Sequence, residues 1–226
     1  MKARILLIAL ASAGLSSAAI VTYNVNYGPT SIGAADFTVS LPKFDPSLGA
    51  LTGVSIVLDA STSGSTIVFD NEANVGGSVT LSVGTTVTAT APLITALVAV
   101  PLQIGSGTVT ADNDGAPDFI GTDSIGVTTG SGSVSNTQTG SSGPILAAYT
   151  ATLPLETFDV TINNLIAESF SSSGAYGPTQ TTSGIFEGEV TVHYSYELTS
   201  VPEPSGLLSL GCLIGSGVCL RFRRKR

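Results

Sequence analysis

From Glu189 to Leu198 the chain alternates without a break: Val190, Val192, Tyr194, Tyr196 and Leu198 are apolar, and Thr191, His193, Ser195 and Glu197 separate them. A period of two places every apolar residue on one face of a strand and on no single stripe of a helix, so this segment is predicted to be a half-buried β-strand. Shorter runs of the same kind occur at Ile20–Tyr27, Asp36–Leu41, Val54–Leu58, Thr66–Phe69, Ser78–Val83, Thr86–Thr90, Ile94–Val100 and Thr157–Ile162. Val, Ile and Thr dominate them, and Gly, Pro, Asn or Asp stand between them, as in strands joined by turns. With no amphipathic helical segment among them, residues 20–200 are expected to form an all-β domain, an antiparallel β-sandwich of jelly-roll-like kind. Gly126–Gly143 and Ser171–Gly184 are rich in Gly, Ser and Thr and are expected to be long surface loops or loosely packed edge strands.

Charge separates this domain from the chain's two ends. Between Ile20 and Ser200 a single Lys43 stands against fifteen carboxylates, a formal charge of −14, against −8 for the whole chain. Such a surface repels nucleic acid and anionic lipid and suits divalent cations or basic partners, although acidity also simply keeps an exported protein in solution. Both cysteines, Cys212 and Cys219, fall in the C-terminal segment. The domain therefore has no disulfide, and at roughly 180 residues it is long enough to rely on one packed core.

The ends read as addresses. Lys2 and Arg4, the apolar Ile5–Leu15 and the small Ser16-Ser17-Ala18-Ala19 make residues 1–19 a secretory leader, with signal-peptidase cleavage expected after Ala18 or Ala19. At the other end, Gly206–Leu220 carries no charge and contains five Leu, and five of the last six residues are basic: Arg221, Arg223, Arg224, Lys225 and Arg226. As a helix, 206–220 would span about 22 Å, short of a bilayer core of about 30 Å, so local thinning and snorkelling arginines would have to close the gap. The basic end is expected to stay cytoplasmic, which puts the domain on the far side of the membrane. A buried core helix with a solvated basic end is the competing reading, and Gly211, Gly215 and Gly217 count against it.

Pro202-Glu203-Pro204, followed at once by the apolar run and the basic end, resembles the PEP-CTERM sorting signal of exported Gram-negative bacterial proteins. The resemblance implies recognition of Pro202, Glu203 and Pro204 by an exosortase, a passage through the inner membrane, and a destination at the cell surface or in an exopolysaccharide matrix. Two prolines fix an extended, accessible backbone at the membrane edge, which is what a processing enzyme needs. A second resemblance covers most of the domain. Leu41-Pro-Lys-Phe-Asp-Pro-Ser-Leu-Gly-Ala-Leu-Thr-Gly-Val54, the Thr-rich strands and the closing Val-Thr-Val-His-Tyr-Ser-Tyr are similar to the choice-of-anchor E domain, which implies placement and fold class but no assigned chemistry.

Candidates for chemistry are few. His193 is the only histidine, on the polar face of its strand, and no Gly-x-Ser-x-Gly elbow accompanies it. Glu187 and Glu189 share a strand face and suit either a carboxylate pair or a solvated surface. Asp112-Asn-Asp114-Gly-Ala-Pro-Asp118 places oxygen donors around a Gly turn. Asp112, Asp114 and Asp118, with the Ala116 carbonyl, suit Ca²⁺, and an ordinary Asn/Asp/Gly turn accounts for the same residues. The segment departs from an EF-hand loop, since Thr110 stands where the first Asp would be and no Glu closes it at the twelfth place. Three readings follow: a non-enzymatic surface or matrix protein, a Ca²⁺-assisted adhesion or glycan-binding module, and a secreted hydrolase using Glu187, Glu189 or His193.

Overall fold

The structure, a computed structural model, describes residues 18–34, 36–130 and 132–198. The leader up to residue 17 and the sorting segment 201–226, with Pro202, Glu203, Pro204, Arg221, Arg223, Arg224, Lys225 and Arg226, lie outside the described residues. Among the described residues no helix is long and apolar enough to cross a membrane.

Twelve strands carry the fold: β1 (Ala18–Ser31), β2 (Phe37–Pro42), β3 (Ala50–Ser63), β4 (Thr66–Asp70), β5 (Gly77–Thr90), β6 (Leu97–Ala99), β7 (Leu102–Val109), β8 (Ser124–Thr128), β9 (Gly132–Gly140), β10 (Thr157–Ser173), β11 (Thr179–Thr182) and β12 (Ile185–Glu197). Among the described residues one α-helix, α1 (Gly143–Tyr149), and a 3-10 turn at Pro46–Leu48 interrupt them. Every strand pairing is antiparallel.

Several of these strands are halves of longer ones. Thr62 faces Gly132 in the β3–β9 ladder and Thr66 faces Thr128 in the β4–β8 ladder, an unchanged register across the gap. Ser63 faces Ile185 and Thr66 faces Thr182, so β12–β11 runs on past β3–β4 in the same way. In the opposite layer β6 and β7 keep one register along β5, broken only at Val100–Pro101, where proline has no N–H to give. The three hydrogen-bonded sheets, β1-β12-β3-β9, β11-β4-β8 and β2-β10-β5-β6 with β7 also on β5, thereby line up as two layers of four long strands, β1, β12/β11, β3/β4, β9/β8 and β2, β10, β5, β6/β7. Counted as eight long strands in chain order, they lie 1-8-3-6 over 2-7-4-5, the nested connectivity of a jelly roll.

Hydrophobic burial between the sheets falls into two clusters. The larger holds Leu41, Phe44, Ile56, Leu58, Val87, Leu97, Phe158, Ile162, Phe186, Val192 and Tyr194, and the smaller Ile67, Phe69, Val79, Leu81, Val83, Val109 and Val127. Each sheet passes from one cluster to the other at a fully buried hydroxyl residue, Ser65 in one and Thr85 in the other. At the first joint the Thr129 N–H donates to the Ser65 carbonyl at 2.8 Å, the Ser65 N–H to Thr129 Oγ1 at 2.9 Å, and the Gly184 N–H to Ser65 Oγ at 3.1 Å. Side-chain oxygens there replace ladder carbonyls, which keeps the register while the strands bend.

Of the two alternatives for the Gly-, Ser- and Thr-rich stretches the structure takes strands over long loops: Gly126–Gly143 holds the end of β8 and the exposed edge strand β9, and Ser171–Gly184 the end of β10 and all of β11. The structure differs from the sequence expectation in two places, β7 and α1. β7 was not expected from alternation because Gly105 and Gly107 face its interior side: a Cβ on Gly105 would strike Val127 and one on Gly107 would strike Ile125, so β8 supplies the apolar filling. Helix α1 carries Pro144 in its first turn and lays Ile145, Leu146 and the buried Tyr149 against the larger cluster.

Ala18 faces Glu197, so both ends of the described chain leave from one end of the sandwich. The connections 71–76, 110–123 and 174–178 lie at the other end, beyond Asp70, Val109, Ser124, Ser173 and Thr179.

Candidate metal centre

The three connections at that far end are bound to one another by backbone and by two side chains at the end of β4. The Asp70 N–H donates to the Pro178 carbonyl, Asn71 N–H to Asp123, Glu72 N–H to Tyr176 and Asp112 N–H to Ala73, at 2.7 to 3.1 Å. Asn71, buried, donates from Nδ2 to the carbonyls of Val75 and Thr110 and accepts at Oδ1 from Ala73 and Tyr176. Asp70, also buried, accepts at Oδ2 from the N–H groups of Asp118 (2.8 Å) and Phe119 (2.9 Å). The acidic loop is thereby folded back over its own strand end.

That folding decides which carboxylates meet. Asp112, Asp114 and Asp123 each offer an oxygen within 4.8 Å of the others. Asp118 is not in this group. Its backbone N–H is taken by Asp70 and its Oδ1 accepts from Ile120, so it shapes the loop while Asp123 takes the third place the sequence reading gave to it. Asp112 Oδ1 accepts from Asp114 (3.0 Å) and Gly115 (2.9 Å), and these amide donors, Gly115's first, hold its carboxyl below the usual range. Asp114 Oδ1 accepts from Ala116. Asp123 is 2 % exposed; its Oδ2 accepts from the Asn113 N–H at 3.2 Å and its Oδ1, fully buried, has no hydrogen-bond partner. Glu72 lies in the same field, and partial desolvation followed by the charges of Asp112, Asp70, Asp114 and Asp123 raises its pKa. No spacing signal pointed to Asp123: in the register that puts Gly115 at the sixth place of an EF-hand loop the twelfth place is Gly121, and Asp123 lies five residues beyond the Asp112–Asp118 cluster.

The other candidate residues lie on the outer face of the β1, β12, β3 layer. Glu187 and Glu189 share that face of β12, as the period of two requires, with Glu187 exposed and Glu189 half-buried. Asn24 Nδ2 and Thr191 Oγ1 each donate to Glu189 at 2.8 Å, and Asp59 stands directly opposite it on β3. His193 Nδ1 is 2.8 Å from Thr22 Oγ1, with Ser55 opposite on β3. These groups line an open sheet surface. A crevice of about 150 Å³ between Pro101–Gln103 and Gly132–Val134, near the joint, has no charged residue in its lining.

No known protein family and no curated protein matches the sequence. Among solved structures, that of Desmodium yellow mottle tymovirus aligns over 90% of this chain and 100% of its own at 9% identity and a TM-score of 0.19. Turnip yellow mosaic virus aligns over 89% and 94% at 11% identity and a TM-score of 0.16. Scores this low carry no argument about this chain.

Proposed function

We propose that the protein is an exported, non-enzymatic component of the cell surface or extracellular matrix, delivered by its leader and sorted through its C-terminal segment by an exosortase. The observation that carries this reading is the order at the C-terminus: Pro202-Glu203-Pro204, then fifteen uncharged residues, then five basic residues among the last six. The sandwich agrees with a tethered display role, since β12 ends at Glu197 beside the first residue of β1 and leaves the opposite end free for contacts. Exopolysaccharide is the partner that the resemblance implies, while nucleic acid is disfavoured by the −14 charge of residues 20–200.

Replacing Pro202, Glu203 and Pro204 together by Ala in a host with an exosortase tests the sorting step. The variant is expected to accumulate uncleaved in the inner membrane, whereas the unaltered protein reaches the surface or medium without its basic end. Mass spectrometry of the mature C-terminus decides: Arg226 still present on surface-located protein overturns the processing reading.

A further inference from the structure

We propose that Asp112, Asp114 and Asp123 are ligands of a Ca²⁺ ion that clamps the three connections at the end of the sandwich remote from the chain ends. The inference stands on the geometry of this end and is independent of how the protein is sorted.

Oxygen is the donor that hard divalent cations take, and Ca²⁺ binds it at about 2.3–2.6 Å, so two ligands of one ion are at most about 5 Å apart. The three carboxylates meet that limit, each with an oxygen within 4.8 Å of the others. Proximity alone would describe an acidic patch. What distinguishes this one is Asp123, 2 % exposed, in the group, with one carboxylate oxygen bonded to the Asn113 N–H and the other bonded to nothing. A buried carboxylate oxygen without a donor is costly, and the cost rises when two further carboxylates stand against the same side chain. A cation removes both penalties at once.

Among the described residues no cationic side chain does this. Lys43 is the only Lys or Arg among the described residues, and it is spent on Glu156 at the other end of the sandwich. Six carboxylates, those of Asp70, Glu72, Asp112, Asp114, Asp118 and Asp123, are gathered at this end without a counter-charge from the described residues. The preorganisation is also in place. The Asp112 carboxylate is held in place by the Asp114 and Gly115 amides, and Asp70 and Asn71 pin the loop from beneath without entering the group. Gly121, at φ +98°, leaves room beside Asp123: a Cβ there would come within 2.8 Å of Oδ1.

The test uses the full chain in detergent, stripped with EGTA, and follows thermal unfolding with and without 10 mM CaCl₂, with 30 mM NaCl as the ionic-strength control. At a dissociation constant of about 10⁻⁴ to 10⁻³ M, usual for extracellular sites, binding to the native state alone raises Tm by about 3 to 10 °C. The rise is expected in the unaltered protein and in Asp118→Asn, and is expected to disappear in Asp123→Asn. The double variant Asp112→Asn with Asp114→Asn, whose altered side chains reach solvent, keeps the acceptor oxygens for the loop's amides and secures the result if Asp123→Asn fails to fold. Saturable Tb³⁺ luminescence, displaced by Ca²⁺ and lost in the double variant, is the direct readout. Melting unchanged by calcium, matched by NaCl, or raised equally in the double variant overturns the proposal and leaves Asp123 Oδ1 to a bound water.

Discussion

Replacing Thr129 by Val isolates the joint between the two halves of the sandwich. Valine has the same shape and removes one oxygen. That oxygen, Thr129 Oγ1, is the acceptor for the Ser65 N–H at 2.9 Å, and Ser65 is fully buried while Thr129 is 5 % exposed. Water cannot replace the lost partner, so an amide is left unsatisfied at a cost of about 1 to 3 kcal/mol. The neighbouring bonds, Thr129 N–H to Ser65 and Gly64 N–H to Thr129, use backbone atoms and survive the substitution. For a domain of this length each kcal/mol moves Tm by about 2 to 4 °C, so the variant is expected to melt about 2 to 12 °C lower. Urea unfolding followed by far-UV circular dichroism measures the loss, and hydrogen exchange at Gly64 and Ser65 places it. A loss below about 0.5 kcal/mol, or faster exchange everywhere except the joint, would refute the claim that this side chain substitutes for a ladder carbonyl.

Tyr194→Phe removes the hydroxyl that donates to the Pro42 carbonyl at 2.8 Å from a fully buried ring, and should cost about 1 to 3 kcal/mol in urea unfolding with the sheet content unchanged; an unaffected midpoint would mean that the carbonyl finds another donor. Acid should loosen the end of the sandwich near α1, because the Lys43 side chain first, and then Thr152, hold the Glu156 carboxyl at about 2, below its ordinary 4.5. A depressed carboxyl pKa contributes stability that is whole above the ordinary value and is lost as pH falls from about 4.5 to about 2. Glu156→Gln should flatten that part of the stability–pH curve, and an identical curve in the variant would count against the pair.

How far the sequence could be read depended on whether neighbours or distant strands set each residue's role. In 189–198 the alternation states most of its own burial: the structure buries Val190, Val192 and Tyr194 and leaves His193 and Ser195 half-exposed, while Thr191 of the polar face is buried under its neighbours and Leu198, past the end of β12, is exposed. The joint could not be read in this way. Gly64-Ser65 looks like a turn between two strands, and only the side chain of Thr129, 64 residues away, makes it a continuation in register. β7 was hidden for a related reason, since its interior positions Gly105 and Gly107 are filled by Val127 and Ile125 from the facing layer. The acidic loop was visible as a cluster of ligands, but its membership was not. Asp118 is drawn to Asp70 through its backbone, and Asp123 enters from the start of β8, a choice made by strand packing and not by spacing in the loop.

The unbroken register has a consequence for how the protein would stand if tethered. From Ala50 to Asp70 the chain runs one way along the sheet, through β3, the joint and β4, which at about 3.3 Å per residue is up to roughly 65 Å. The five residues from Glu197 to Pro202 reach at most about 18 Å. A segment that short cannot let a body of that length turn over. With the sorting segment holding one end in the proposed orientation, the connections bearing Asp112, Asp114 and Asp123 face away from the membrane and its bound counter-ions. In that orientation a partner of these connections would come from outside the cell, and six carboxylates with no basic neighbour among the described residues favour the cation proposed above.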